Sequence, residues 1–380
     1  MDDLKVFGRA SVYDFLADRV VYRNLVPYDK HLPSLQELRQ IAGLPTGIIP
    51  RKSETAYAQV IVQLLRRAFQ HTDSRASIDR LVFIGDTRLN DSTAFINICR
   101  AGDWPGIAFI GSDSTDPPKV EIVSHGDHCE VYLSNRWSLL TDFNQYCLQH
   151  GMIIDEHTAV IIDLDKTALG ARGRNDHTID LARVQAVSNT VSDLLSDEFD
   201  AQSFQTAYNE LNQVEFHDFT TDNQDYLAYI CLIIGSGMYS LAEIVSNIRS
   251  QSMTTFRQFI ERVEDQSLEL SFELAEIHAE IYANVQVRDP TPFKPFRRRE
   301  YQTTIARMGN LDDRADIQDL LAQEILLTQE VRRIALNWQT AGALLFGMSD
   351  KPDEASIPTE TLASQGYLPI HQTATHAVGT

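Results

Sequence analysis

The chain has 380 residues, a formal net charge of -20 and an ordinary hydrophobic share of 43%. Its length exceeds one typical domain, so two domains or one domain with a large insertion are expected, and the acidic balance argues against an extended nucleic-acid surface. No basic leader followed by an apolar run occurs and no apolar stretch approaches membrane-spanning length, so the expected setting is the cytoplasm, with no membrane partner.

Residues 1–50 hold a mixed polar and aromatic segment, Val12 to Tyr28, and a short helical pattern from Pro33 to Ala42 that stops at Gly43. Ser53 is placed to cap the next helix, whose apolar positions Ala56, Val60, Leu64 and Phe69 recur near helical spacing. Lys52 stands just before it. The apolar run Leu81-Val82-Phe83-Ile84 then opens into Gly85-Asp86-Thr87-Arg88-Leu89-Asn90-Asp91, ahead of a helical stretch from Ser92 to Arg100. A second run, Ile107 to Ile110, ends in Gly111-Ser112-Asp113 and lacks a second carboxylate at comparable spacing, so it serves as the neighbouring strand. Lys119 to Val123 and Cys129 to Leu133 form a hairpin around His125-Gly126-Asp127, and Trp137 to His150 has helical spacing. Cys99, Cys129, Cys147 and Cys231 show no metal-ligand spacing and are expected as free thiols packed as small hydrophobes.

The stretch Ala159 to Gly173 carries the strongest chemistry, because an apolar run of the kind that makes a buried parallel strand ends there in Asp163 and Asp165. Ligands of open α/β sheets bind at the carboxyl ends of strands, and a hard cation such as Mg²⁺ takes carboxylate oxygens. An aspartate beside such a cation can attack phosphorus while a second acts as general acid and base. Two aspartates after an apolar run also cap turns, or hold a sugar-nucleotide metal in glycosyltransferases. From Arg172 to about Ile334 the texture becomes helical, with an apolar segment Tyr226 to Ile234 and a repeating apolar face from Ser267 to Val285. Lys294, Arg297, Arg298 and Arg299 form a basic cluster there, expected as a solvated loop or else as an anion clamp. After a helix from Ile317 to Asn337, the apolar residues Ala343 to Phe346 lead into Gly347-Met348-Ser349-Asp350-Lys351-Pro352.

Asp163-Leu164-Asp165-Lys166-Thr167 resembles the first motif, DxDxT, of the haloacid dehalogenase-like (HAD) phosphohydrolases. The loop from Gly85 to Asp91 resembles that family's acidic fourth motif, and Ser349-Asp350-Lys351-Pro352 its second, with Asp350 in place of the common Asn. The resemblance implies a doubly wound, parallel-sheet α/β core of Rossmann-like type with an inserted helical cap. Here the family's order is rotated, since Lys52 and the Asp86 loop precede the Asp163 strand and Ser349 comes near the end. A circular permutation accounts for this, and surface termini tolerate such rearrangement. The expected division is core in 1–171 and 335–380 with an all-α cap in 172–334. The strand ending at Asp163 should then lie between those ending at Ser349 and Asp86.

By the same resemblance Asp163 is the nucleophile and Asp165 the general acid and base, while Thr167 braces the loop. Ser349 and Lys52 bind the phosphoryl oxygens, with Lys351 the rival for the lysine role, expected farther off or turned outward. Mg²⁺ would be held by Asp163, the Asp165 carbonyl and Asp86, with Asp91 a further ligand or an orienting group. The implied activity is Mg²⁺-dependent hydrolysis of a phosphorylated small molecule. A phosphomutase is the enzyme alternative. A non-catalytic binding or regulatory protein using the helical module is the alternative from another class.

Overall fold

The computed structural model describes residues 4–45, 47–72, 77–126 and 128–380, so Asp127 of the expected hairpin turn lies outside the described residues. Its strands are β1 (Lys5–Ala10), β2 (Val20–Val21), β3 (Arg80–Gly85), β4 (Gly106–Gly111), β5 (Val120–His125), β6 (Cys129–Ser134), β7 (Thr158–Asp163), β8 (Leu327–Thr328), β9 (Leu344–Met348) and β10 (Thr375–Gly379). The near-continuous apolar runs of β3, β4, β7 and β9 are what a parallel sheet covered on both faces requires, and every residue of β4, β7 and β9 is buried. They lie in a seven-stranded sheet of order β2-β9-β7-β3-β4-β6-β5, parallel except for the β5–β6 hairpin at one edge.

Alternation along β4 shows how the two faces are filled. Ala108 and Ile110 join the core formed with helices Thr55–Thr72 and Asn90–Gly102. Phe109 points the other way, against Trp137 and Phe143, and Phe143 in turn meets Trp338. The fold is therefore an α/β sheet between helical layers. The strand of Asp163 is central, flanked by β9 and β3, and both pairings are parallel. After β3 the chain steps to β4 on one side, and after β7 it reaches β9 on the other. This reversal makes the carboxyl ends of β3 and β7 a topological switch point, where open α/β sheets form their binding crevice.

The sequence reading missed a second, three-stranded sheet, β1-β10-β8, in which β1 runs antiparallel to β10 with Lys5 opposite Gly379. The helix expected from Ile317 to Asn337 is also broken, into Ile317–Gln323, strand β8 and Gln329–Thr340. Glu324 explains the break: buried, it accepts hydrogen bonds from the Gly309 and Leu311 amides, the Thr375 hydroxyl and the His376 amide, a hub that a continuous helix could not present.

The chain divides into two compact units, one of Met1–Leu181 with Thr304–Thr380 and one of Ala182–Thr303. The helical unit is thus shorter than the 172–334 expected. Buried Arg174 binds Asp113 and, through two nitrogens, Glu330, while the Asn175 amide donates to the carbonyls of Leu321 and Glu324. These bonds lie wholly within the first unit, so residues on both sides of the helical unit are part of it. Within the second unit, helix Gln224–Gly235 forms the middle of an apolar core that includes Phe256, Phe259 and Phe296. The basic cluster belongs to helix Lys294–Ile305 rather than to a solvated loop. Arg297 is buried against Asp225 and Glu300, Lys294 pairs with Asp289 and Arg299 with Asp193, so these three cations are already paired and do not form an anion clamp. All four cysteines are free and buried. Among the described residues no helix is long and apolar enough to cross a membrane.

Candidate functional site

Parallel register levels the strand ends. Asp163 lies opposite Met348 of β9, and its predecessor Ile162 lies opposite Ile84 of β3, so Asp163, Ser349 and Asp86 emerge from three adjacent strands at one edge. The helices that pack beside these strands run antiparallel to them, which brings their amino-terminal ends to the same edge. Lys52 reaches it from just before helix Thr55–Thr72, and Asp91 from the first turn of Asn90–Gly102.

Lys52, Asp91 and Asp163 form a tight, solvent-excluded group. The Lys52 ammonium lies 2.6 Å from Asp163 Oδ1 and 2.5 Å from Asp91 Oδ1, and all three residues are at most 4% exposed. Asp91 Oδ2 accepts the amide hydrogens of Asp86 and Thr87 at 2.9 and 2.8 Å, so Asp91 also orders the loop that carries Asp86. Gly85 is required there: a Cβ on it would stand 2.7 Å from Asp91 Oδ2 and 2.8 Å from the Phe83 ring. Asp86 takes hydrogen bonds from the Thr87 hydroxyl and, at 3.5 Å, from Thr167, and its other oxygen pairs with the half-exposed Arg172 guanidinium.

Asp86, Asp91 and Asp163 each offer an oxygen within 4.8 Å of the others. Burial, reinforced by Asp91, raises the Asp86 carboxyl to about 6, and burial also pushes Asp163 well above the carboxylate range. Asp91 moves the other way, because Lys52 and the loop amides outweigh the cost of its burial. Burial works against the Lys52 charge, yet Asp163 and Asp91 hold its pKa well above the lysine range. Carboxylates gathered this closely in a buried place repel one another, which favours either a retained proton or a cation between them. Hard oxygen donors with surplus negative charge fit Mg²⁺ or a similar ion.

The remaining expected residues fall around this group. Thr167 is fully buried and its carbonyl accepts from Thr328 Oγ1 at 2.6 Å. Asp165 is half-buried just beyond β7, in a loop where Lys166 adopts the left-handed region at φ 63°. That strained turn is held by the Arg172 amide on the Lys166 carbonyl and by the Lys166–Asp180 ion pair. Ser349 is buried at the end of β9; its amide donates to the Val21 carbonyl and its hydroxyl accepts from the Lys351 amide at 3.0 Å. Lys351 is only 5% exposed, so it does not turn outward as expected. The carboxylate of Asp163 is nevertheless bonded by Lys52.

Two features had no place in the sequence reading. Arg172 looked like the start of the insertion, and only folding brings it to Asp86. A cleft of about 220 Å³ opens beside Asp86, lined by Arg88, Ser112, Lys119, Glu121 and Asn135 among others. No signal short of the β4–β6 pairing could have assembled it. No protein-family model matches the chain, and no curated protein or solved structure was found to match it.

Proposed function

We propose that this chain is a divalent-cation-dependent phosphohydrolase of the haloacid dehalogenase-like type, circularly permuted, acting on the phosphate ester of a small molecule. The observation that carries the proposal is the meeting of Asp163, Asp86 and Lys52 at the switch point, where an acidic cation site and a buried ammonium stand together. The ladder between β1 and β10 supports the rotated order, because it keeps the two ends of the chain side by side.

An Asp163 oxygen attacks phosphorus as the ester P–O bond breaks, leaving an aspartyl-phosphate, and Asp165 gives its proton to the departing oxygen. Asp165 then takes a proton from the water that attacks phosphorus, which releases phosphate and restores Asp163. Lys52 and Ser349 hold the phosphoryl oxygens, Thr167 braces the loop, and Asp91 keeps the Asp86 amide and Lys52 in place. Mg²⁺, held by Asp163, Asp86 and the Asp165 carbonyl, would supply positive charge that offsets repulsion between an anionic nucleophile and an anionic substrate. The cleft beside Asp86 offers room for the rest of the ester, with Lys119 on its wall and Arg88 already paired there with Glu121.

A panel of phosphate monoesters assayed for phosphate release with Mg²⁺ tests the proposal. Release from at least one ester, lost with a chelator, is expected. No release above that of Asp163→Asn on any ester would overturn it, and an isomeric phosphate ester in place of free phosphate would mark a phosphomutase.

A further inference from the structure

Each oxygen of Asp86 is engaged by a donor: Oδ1 accepts from the Thr87 hydroxyl at 3.1 Å and from Thr167 Oγ1 at 3.5 Å, and Oδ2 accepts from Arg172 Nε. Asp86 is also one of the three carboxylates that offer an oxygen within 4.8 Å of one another. A cation bound by that cluster must therefore share Asp86 with these donors or displace one. The hydroxyls are neutral and can turn aside. A guanidinium and a divalent cation on one buried carboxylate repel each other strongly, because little water lies between them to weaken the field.

The two cations bonded to the cluster differ in how readily they can leave. The Lys52 side chain is 5% exposed and is held by both Asp91 and Asp163. The Arg172 side chain is 39% exposed, and among the described residues its guanidinium bonds only Asp86. Arg174, two residues on, shows the contrasting case of a buried arginine bonded to Asp113, Glu330 and the Val378 carbonyl. The backbone of Arg172 is fixed: its amide donates to the Lys166 carbonyl at 2.8 Å, and its carbonyl accepts from the Asp113 amide at 2.9 Å and from Trp137 Nε1 at 3.1 Å. Its side chain can thus swing into water while the Cα stays in place.

We infer that Arg172 is a built-in competitor for the divalent cation, whose guanidinium holds the Asp86 oxygen that the cation takes and moves into solvent as the cation enters. The inference rests on the cation site proposed above and adds its regulation. Arg172 neutralises Asp86 while the cation is scarce and raises the concentration at which the site fills. Linkage makes the effect reciprocal: as far as Arg172 hinders the cation, the cation releases Arg172.

Two measurements on the full chain test both directions, and neither reads turnover. Calorimetric titration with Mg²⁺ at about pH 8, where protons compete little for the carboxylates, should show an affinity about tenfold or more higher in Arg172→Met than in the parent. Arg172→Lys, which keeps the charge, should stay closer to the parent. In the unmodified protein, phenylglyoxal labelling located by mass spectrometry should reach Arg172 faster in Mg²⁺ than in chelator. Equal or weaker Mg²⁺ binding by an Arg172→Met protein that melts cooperatively, or labelling that Mg²⁺ does not quicken, would overturn the inference and leave Arg172 a residue that orients Asp86. The labelling decides the matter alone if the variant does not fold. A parent that binds no Mg²⁺ would overturn the cation site and this inference together, whereas a parent that binds Mg²⁺ and releases no phosphate from any ester would remove the phosphohydrolase reading and leave the competitor standing.

Discussion

Lys52 Nζ and Asp163 Oδ1 are 2.6 Å apart although 111 positions separate them in the chain. Both are buried, and Lys52 also neutralises Asp91. Lys52→Ala would therefore leave two buried carboxylates without their counter-ion, a change that costs about 3–5 kcal/mol. Urea unfolding should show that loss in metal-free buffer and a smaller one in Mg²⁺. A variant as stable as the parent would mean that the ion pair is not formed in solution.

Asp163→Asn should keep the fold, because Lys52 retains Asp91 as a partner. The neutral amide is a poor nucleophile and a weaker ligand for a hard cation, so phosphate release should vanish while the circular dichroism spectrum is unchanged. Undiminished turnover would remove Asp163 from its assigned role.

Legibility in the sequence followed burial. Strands β3, β4, β7 and β9 were readable because covering both faces makes their apolar runs continuous, and the candidate residues Asp86, Asp163 and Ser349 stand where three of those runs end. The nearness of Lys52 to Asp163 was expected from the rotated order of the motifs, and the two side chains do meet. Strand β1 was not, since its first five residues are exposed and its partner lies at the far end of the chain. Leu326 and Leu327 read as one more helical turn because Glu324, which interrupts the helix, looks like any surface glutamate until Thr375 and His376 come to meet it. Arg172 at Asp86 and the burial of Lys351 are products of tertiary contact and carry no local pattern.

The pH dependence of stability should reveal Asp86. Its folded pKa of about 6 exceeds the ordinary 3.8, so between those values the native state holds a proton that the unfolded chain has released. Stability contributed by this group is therefore full at low pH and declines as pH rises through that window. Thermal melts of the metal-free protein should show the decline, Asp86→Asn should flatten it, and Mg²⁺ should raise the midpoint more above the window than below it. Identical pH profiles for the two proteins would contradict the assignment.

Arg174 provides an independent check away from the acidic cluster. It is buried between Asp113 and Glu330, and although burial disfavours the Glu330 charge, Arg174 holds that carboxyl below its usual range. Arg174→Leu should cost about 3–5 kcal/mol near neutral pH. The penalty should shrink in acid, because the stability owed to a depressed carboxyl pKa is present above the unfolded value and disappears as pH falls through the folded one. A loss independent of pH would point to packing alone.

Gly173→Ala should disrupt the same region by shape. The residue sits at φ +75°, and a Cβ would come 1.9 Å from the Asp113 carbonyl oxygen, so backbone must move. A loss of about 1–3 kcal/mol or more is expected in denaturant titration. A neutral effect would require Asp113 and Arg172 to separate.

The β1–β10 ladder also sets how the molecule would respond to force. Lys5 faces Gly379 while Ala10 faces Thr375, so the outermost residues of both strands lie at one end of the ladder. Traction applied at the two termini would load its hydrogen bonds singly, from that end inward, as a zip opens, and would not shear them together. The β1–β10 pairing should part at low tension, whereas the parallel β10–β8 pairing is not opened in this way.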